Sequence, residues 1–155
     1  MGMIMIVDAD RCTGCRLCEL ACSLAKEGDW DISRARISIL KRGEEDAYLP
    51  LICSQCEAPL CITVCPVDAT RREPPGGVVF DRDRCISCMA CIAICPKGGR
   101  RFDGREGKIL RCDLCGGDPV CVRYCPEGAI RFMDEGRMQD NQKRMRARKL
   151  YRAWK

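Results

Sequence analysis

The stretch CISCMACIAICP, residues 85–96, places four cysteines and a proline within twelve residues. Three further groups of four cysteines occur in this chain of 155 residues, and the groups together account for all 16 cysteines. Cysteine is therefore about a tenth of the composition, while histidine is absent. Such a density is typical of a disulfide scaffold, a zinc protein or an iron–sulfur protein.

The N-terminal sequence does not favour the disulfide scaffold, which needs an oxidising compartment. The stretch MGMIMIVDADRC has no basic region, and its apolar run covers only residues 3–7. A secretory signal peptide has a longer apolar region. The sequence also has no twin-arginine signal and no run of about eighteen apolar residues. We therefore expect a cytoplasmic protein without a membrane span.

The four cysteine quartets are variants of one repeat. The spacing C-x2-C-x2-C-x3-C occurs in Cys12, Cys15, Cys18, Cys22 and again in Cys85, Cys88, Cys91, Cys95. Longer stretches, EAPL and GGDPV, separate the second and third cysteines of the other two quartets, which are Cys53, Cys56, Cys61, Cys65 and Cys112, Cys115, Cys121, Cys125. A proline follows the last cysteine of every quartet except the first, where Ser23 stands.

This compact spacing is typical of [4Fe–4S] clusters. A C-x2-C-x2-C loop supplies three thiolates to one cubane, and the last cysteine of the bacterial C-x2-C-x2-C-x3-C-P run binds the other cluster of a pair. Structural zinc sites instead use separated C-x2-C knuckles or include histidine. Because all four quartets are complete, we expect four [4Fe–4S] clusters and no spare thiol for catalysis.

Charge and composition exclude several other functions. The formal charge of +5 counts the cysteines as neutral thiols, and four oxidised clusters of about −2 each would bring it to about −3. Arginine and lysine then balance the cluster charge and solvate the surface. The 8 aromatic residues are too few for a base-stacking groove, so we expect no nucleic-acid partner. The glycines in PPGGVVF and LCGGDP fit turns rather than a nucleotide-binding loop.

The quartets resemble those of the four-cluster, ferredoxin-like electron-transfer subunits that accompany larger catalytic subunits in molybdenum, tungsten and hydrogenase complexes. The resemblance spans about residues 4–133 and is carried by CTGCRLCELACS, LICSQCEAPLCITVCPVDA, CISCMACIAICPKGG and RCDLCGGDPVCVRYCPEGAI. SRARISIL together with RCDLCGGDPVC looks most like the small subunits of tungsten aldehyde oxidoreductases and class II benzoyl-CoA reductases. Carbon monoxide dehydrogenase and hydrogenase partners share much of this pattern.

The pairing of the quartets follows partly from spacing. Between Cys65 and Cys85 lie 19 residues, close to the gap in a small two-cluster ferredoxin, so the second and third quartets are expected to form an inner ferredoxin. By elimination, and as the resemblance implies, the first and fourth form an outer one. The predicted ligand sets are set I (Cys12, Cys15, Cys18 and Cys125), set II (Cys112, Cys115, Cys121 and Cys22), set III (Cys53, Cys56, Cys61 and Cys95) and set IV (Cys85, Cys88, Cys91 and Cys65).

The fold class expected is α+β, with two interleaved bacterial ferredoxin-like modules, an inserted β-hairpin and a C-terminal helix. The predicted domains are an outer module, 1–34 and 100–133, a hairpin, 35–52, an inner module, 53–99, and a basic helical tail, 134–155. Short strands are expected at MIMIV, GVVF and AIRF and, within the hairpin, at 36–40 and 47–52. With so few aromatic residues, the clusters themselves should form the core, and the apo-protein should be largely unfolded.

The leading hypothesis for function is relay of single electrons in anaerobic metabolism, not catalysis. The expected partners are a large catalytic oxidoreductase subunit of the tungsten or molybdenum aldehyde oxidoreductase type and a second redox partner, which is a flavin- or NAD-linked subunit, a ferredoxin or another copy of the chain. The alternatives are a free polyferredoxin, a carrier linked to hydrogenase or carbon monoxide dehydrogenase, and an assembly protein. Acidic residues beside the quartets, such as Asp113, are interpreted as helix caps or solvated groups.

The C-terminal segment, residues 138–155, has neither glycine nor proline and predicts a helix. Its charges beyond Asp140 are all basic, and Ala147, Leu150, Tyr151 and Trp154 recur at helical spacing. We expect this helix to dock on a partner through Tyr151 and Trp154. A solvated terminus and a membrane-surface helix are the alternatives.

Overall fold

The computed structural model describes residues 3–43, 47–73 and 77–134. Its strands form four two-stranded antiparallel sheets. The pairs are β1 (Met3–Val7) with β8 (Ile130–Asp134), β2 (Ser38–Arg42) with β3 (Ala47–Leu51), β4 (Thr70–Glu73) with β5 (Gly77–Phe80), and β6 (Arg100–Asp103) with β7 (Lys108–Arg111). The helices are α1 (Leu17–Glu27), α2 (Leu60–Thr63), α3 (Ala90–Ala93) and α4 (Val120–Arg123).

The ends of the described chain come together in one sheet. Strand β1 pairs with β8 from Met3 opposite Asp134 to Val7 opposite Ile130, and helix α1 packs against α4. The first and fourth quartets therefore share one region, and strands β4 and β5 connect the second and third. The predicted strands MIMIV and GVVF are confirmed as β1 and β5, and AIRF contributes to β8, which begins one residue later.

A β-hairpin follows the first quartet, as predicted, but its first strand begins later. The expected strand started at Arg36, whereas β2 starts at Ser38. The cause is that the Arg36 backbone N–H donates to the Cys22 sulfur, 3.3 Å away, instead of joining a sheet. The return strand β3 ends at Leu51, one residue before the expected end.

Buried cysteines form part of the apolar core. Cys18, Cys22, Cys112 and Cys121 belong to the same buried cluster as Ile37 and its apolar neighbours.

Helix α1 is longer than the others because no proline follows Cys22. It ends before Gly28, which has the left-handed conformation that favours glycine. Within the three described ranges, no helix is long and apolar enough to cross a membrane. The predicted C-terminal helix lies outside the described residues.

Candidate metal centres

The first cysteine of each quartet is followed by the same backbone turn. The residue two positions later has a positive φ in all four cases: Gly14, Gln55, Ser87 and Leu114. This conformation directs its N–H to the cysteine sulfur, with N–S distances of 3.4 Å from Ser87 to Cys85 and from Leu114 to Cys112. A backbone N–H that points at an atom stabilises negative charge there. Each turn is therefore suited to a thiolate.

The last cysteine of a quartet accepts a second kind of backbone bond. The N–H four residues later donates to it, over 3.4 Å from Gly99 to Cys95 and over 3.2 Å from Ala129 to Cys125. The proline after the cysteine ends the short helix and allows the chain to turn back. Cys22 differs because α1 continues past it, and its backbone donor comes from Arg36 in the following segment.

Two cavities are lined by four cysteines each. The first is lined by Cys12, Cys15, Cys18 and Cys125, the predicted set I. The second is lined by Cys65, Cys85, Cys88 and Cys91, the predicted set IV. In both, three cysteines come from one quartet and the fourth comes from a distant one. This arrangement supplies four thiol donors around one space.

For the other two sets, the thiols that act on one another and one close backbone contact indicate which cysteines are neighbours. The pKa of the Cys121 thiol is raised by burial and then by the neighbouring thiols of Cys112, Cys22 and Cys115, which together make up set II. In set III, the pKa of Cys53 is raised by burial and by the Cys61 thiol, although the Gln55 N–H opposes the rise. Cys95 joins this region through Gly99, where an added Cβ would lie 2.5 Å from the Cys53 Cα.

Burial works against thiolates at these sites. It raises the pKa of Cys18 to about 12, with a further rise from Glu19, and it raises the pKa of Cys112 to about 12. Cys65 is the opposite case, because N–H groups of Val67, Thr70 and Ala69 outweigh its slight burial and lower its pKa. Buried thiols ionise when a bound metal compensates their charge, so the donor set fits iron in an iron–sulfur cluster.

Free thiols and compact quartets disfavour the disulfide and zinc alternatives. All 16 cysteines are free thiols. In the described part of the chain, no group of three or more Cys, Asp or Glu side chains converges tightly enough to bind a single metal ion. Structural zinc sites use separated C-x2-C knuckles or include histidine, which this chain lacks. The compact quartets therefore fit a cluster better than zinc.

The 4Fe-4S dicluster domain model matches residues 45–135, more than half of the chain. The chain belongs to the 4Fe-4S dicluster domain family. A second model, the 4Fe-4S binding domain, matches residues 3–24, so the matched ranges contain all four quartets. The predictions of [4Fe–4S] cofactors and of a ferredoxin-like electron-transfer protein without a catalytic role are confirmed at this level.

The relatives of this dicluster protein include several oxidoreductase components. One component of the anaerobic dimethyl sulfoxide reductase of Escherichia coli K12 is 39% identical over 94 residues, covering 53% of this chain and 46% of the relative. The polyferredoxin-like subunit of the aliphatic sulfonate oxidoreductase of Pyrococcus furiosus is 40% identical over 89 residues, covering 56% and 50%. The chain thus spans about half of the length of these curated relatives.

Solved structures share the fold. One subunit of the active-site complex BamBC of benzoyl-CoA reductase with zinc superposes with a TM-score of 0.51 at 23% identity, covering 95% of this chain and 91% of that subunit. The same complex with 1,5-dienoyl-CoA gives a TM-score of 0.50 at 25% identity, covering 85% and 75%. The predicted fold of small mixed α and β ferredoxin-type units is confirmed.

The sequence did not identify the residues that surround the sulfurs. The four donors that follow the first cysteines have no common residue type, because the turn requires a backbone conformation and not a side chain. The buried Arg100 and the partly buried Arg111 were also missed, since they were grouped with the other basic residues. Asp113 is a capping residue as expected, because its Oδ1 accepts from the Cys115 N–H at 3.0 Å.

Proposed function

We propose that this chain is the electron-transfer subunit of an oxidoreductase complex and that sets I to IV each hold one [4Fe–4S] cluster. When bound, the clusters supply one-electron redox chemistry. The observation that carries the proposal is the gathering of cysteines from distant quartets around common spaces. The two cavities with four thiols each support sets I and IV. The influence of the Cys112, Cys22 and Cys115 thiols on Cys121 supports set II, and the close approach of Gly99 to Cys53 supports set III.

The four sets follow one another in the order I, II, III, IV. Cys121 of set II is affected by the Cys18 thiol of set I. Cys112 of set II is affected by the Cys53 thiol of set III. Cys91 of set IV is affected by the Cys61 thiol of set III. Neighbouring sets are therefore close to each other, as a relay of single electrons requires.

Exposure distinguishes sets I and IV, at the ends of this order, from set II. The two exposed cysteines are Cys15 of set I and Cys88 of set IV. In set II, by contrast, Cys22, Cys112 and Cys121 are all buried. We infer that redox partners approach at sets I and IV, while the protein shields set II from water. The four cysteines of set III are all half-buried.

The proposed domain organisation follows from the same pairing. An outer module of residues 1–34 and 100–133 holds sets I and II, an inner module of residues 53–99 holds the other two, and the hairpin, 35–52, covers the outer module. The pairing of β1 with β8 supports this interleaving. A cytoplasmic location and the docking role of the tail remain part of the proposal.

The proposed main partner is a large catalytic subunit of the tungsten or molybdenum aldehyde oxidoreductase type. The support is the relation to components of dimethyl sulfoxide reductase and sulfonate oxidoreductase and the fold shared with a subunit of BamBC. We infer that a flavin- or NAD-linked subunit, a ferredoxin or another copy exchanges electrons at the opposite end of the chain.

The first test is anaerobic purification from native extract. We expect about sixteen irons and sixteen acid-labile sulfides per chain, together with co-elution of a large subunit that contains tungsten or molybdenum. Stoichiometric zinc with little iron would exclude the cluster assignment. A chain that carries the iron but elutes alone would instead favour the free polyferredoxin, and a nickel-containing partner would favour the hydrogenase or carbon monoxide dehydrogenase alternative.

The second test concerns the ligand sets. Cys125→Ser should damage the cluster of set I and leave set II with all of its ligands. Cys22→Ser is the matched control and should damage set II while set I keeps its ligands. Redox titration followed by electron paramagnetic resonance separates the two couples. If each substitution instead damages the cluster of its own quartet, the interleaved pairing is wrong.

A further inference from the structure

Two arginines lie opposite each other at the open end of the β6–β7 hairpin. Arg100 pairs with Arg111 in the register of the two strands. Arg100 is only 4% exposed, and the Arg111 guanidinium is partly buried. Among the residues that the structure describes, no carboxylate forms an ion pair with either side chain, whereas Arg34, Arg36 and Lys108 all have such partners.

Neutral contacts hold both guanidinium groups in place. Arg100 lies over the Phe80 ring, 5.6 Å from its centroid. Arg111 donates to the Gln55 Oε1 at 2.8 Å, and Gln55 in turn donates to the Cys112 carbonyl at 3.1 Å. Several buried N–H groups are left over, because Nη1 and Nη2 of Arg100 and Nε of Arg111 have no acceptor at hydrogen-bonding geometry.

Both arginines adjoin cysteines of set III. Arg100 directly follows Gly99, whose N–H donates to the Cys95 sulfur at 3.4 Å and whose added Cβ would lie 2.5 Å from the Cys53 Cα. Arg111 is hydrogen-bonded to Gln55, the residue two positions after Cys53. Both guanidinium groups are close enough for their charges to act on the Cys53 thiol.

A buried cation without a counter-charge is strongly unfavourable. Cysteine thiolates around an iron–sulfur cluster supply the missing charge, since an oxidised cubane with four thiolates carries about −2 and its reduced form one negative charge more. A fixed positive charge nearby stabilises the reduced form more than the oxidised form. N–H groups that donate to cluster sulfur act in the same direction, raising the reduction potential.

We propose that Arg100 and Arg111 raise the reduction potential of the cluster in set III by placing one buried and one partly buried positive charge, with their free N–H groups, beside its sulfur atoms. The inference rests on the proposed four-cluster relay and adds two residues that act on a cluster without binding iron. With these two charges nearby, the cluster of set III is easier to reduce than it would be without them.

The test compares reduction potentials in three holoprotein variants, each purified anaerobically. Arg100→Gln and Arg111→Gln remove one charge each from the open end of the hairpin. Arg105→Gln removes the same charge from the turn of the same hairpin, where the side chain is 66% exposed and pairs with Asp31 at 2.8 Å. A fourth variant, Cys56→Ser, identifies the couple of set III, because only that cluster loses or changes a ligand.

In both open-end variants we expect the same couple, the one that Cys56→Ser alters, to move to a more negative potential. At a fixed potential its ratio of reduced to oxidised cluster should fall by about tenfold, equivalent to about 59 mV for one electron. Arg105→Gln should leave all potentials unchanged.

Potentials that are unchanged in both open-end variants, with iron content intact, would overturn the proposal and leave the four-cluster relay standing. Loss of iron from both, while Arg105→Gln retains it, would also overturn the tuning role and assign the pair to cluster assembly. Absence of iron from the unmodified chain would count against the proposed function itself.

Discussion

The two ends of the β6–β7 hairpin carry buried cations with different partners. At the turn end, Asp103 lies opposite Lys108 in the strand register. Lys108 Nζ is 3.2 Å from a Glu27 carboxylate oxygen, and Arg34 Nε is 3.0 Å from Asp103 Oδ2. At the open end, Arg100 and Arg111 have aromatic, amide and thiol neighbours but no described carboxylate. One short hairpin thus surrounds its positive charges in two different ways, with carboxylates at the turn end and with aromatic, amide and thiol groups at the open end.

The two ends differ in whether the negative charge that compensates the cations depends on bound metal. Carboxylates at the turn end are ionised at neutral pH whether or not metal is present. Burial raises the pKa of Glu27, but the side chains of Arg36 and Lys108 outweigh it, so the net shift is downward. At the open end the neighbouring thiols become negative only as they bind iron. The polypeptide alone therefore stabilises the turn end, whereas the open end depends on the cofactor.

Removal of the clusters should have the largest effect. We expect an iron chelator under reducing conditions to abolish most of the tertiary structure, because buried cysteines form part of the core and the buried Arg100 would lose the compensating charge of the thiolates. Far-UV circular dichroism and hydrogen exchange measure this. The amides of Leu110 and Arg111 should lose protection no later than those at the turn. An apo-chain that kept its secondary structure and full protection would contradict the comparison.

Substitution of Glu27 by glutamine tests the turn end. Its side chain is 8% exposed and lies against the cations of Arg34, Arg36 and Lys108. We expect a loss of about 3 kcal/mol in the free energy of unfolding, the lower end of the range for a broken buried pair. Glu106, which also pairs with Arg34 and Lys108, retains part of the compensation. Denaturation of the iron-loaded protein measures the loss, and the cluster potentials should hardly change.

Glu106→Gln is the matched control for this substitution, because two of the same three cations are involved but the side chain is 48% exposed. Its effect should be below about 1 kcal/mol.

The sign of the pH dependence follows from the lowered pKa of Glu27 in the folded protein. The contribution of Glu27 to the free energy of unfolding is complete at a pH above the ordinary glutamate pKa, and it is lost only as the pH falls through the lower pKa of the folded state. The Glu27→Gln loss should thus be constant from about pH 6 to 8, and a strong variation in that window would refute the assignment.

Gly99→Ala tests how closely the chain packs at the open end. An added Cβ would lie 2.5 Å from the Cys53 Cα and 2.6 Å from its backbone nitrogen. Because backbone atoms cannot move aside cheaply, we expect a loss of about 1–3 kcal/mol, as for overpacked cores, and a disturbed set III. Gly104→Ala at the turn end is the control, since nothing lies within 4 Å of its added Cβ. Equal thermal stability of the two variants would show that this contact is not tight.

Several features could be predicted from local sequence. The quartets, the cofactor class and strands β1 and β5 all follow from spacing and residue type, because a C-x2-C-x2-C loop and a short run such as MIMIV have few other structures available. The start of β2 could not be predicted, because the alternation at Arg36 is a strand pattern and the competing acceptor, the Cys22 sulfur, is 14 residues away. The donors Gly14, Gln55, Ser87 and Leu114 were missed because the sequence does not encode a positive φ in one residue type.

By itself, the sequence determined that this protein is built around cysteine quartets that bind [4Fe–4S] clusters, since the ligand spacing is a local property of the chain. The tertiary structure decided which thiols share a space, which sets are neighbours and which ends are exposed. It also decided that Arg100 and Arg111 face thiols while Lys108, on the same hairpin, faces carboxylates. The physical reason is that electrostatic energy depends on distance and burial, and for residues far apart in the chain both are set only by the folded structure.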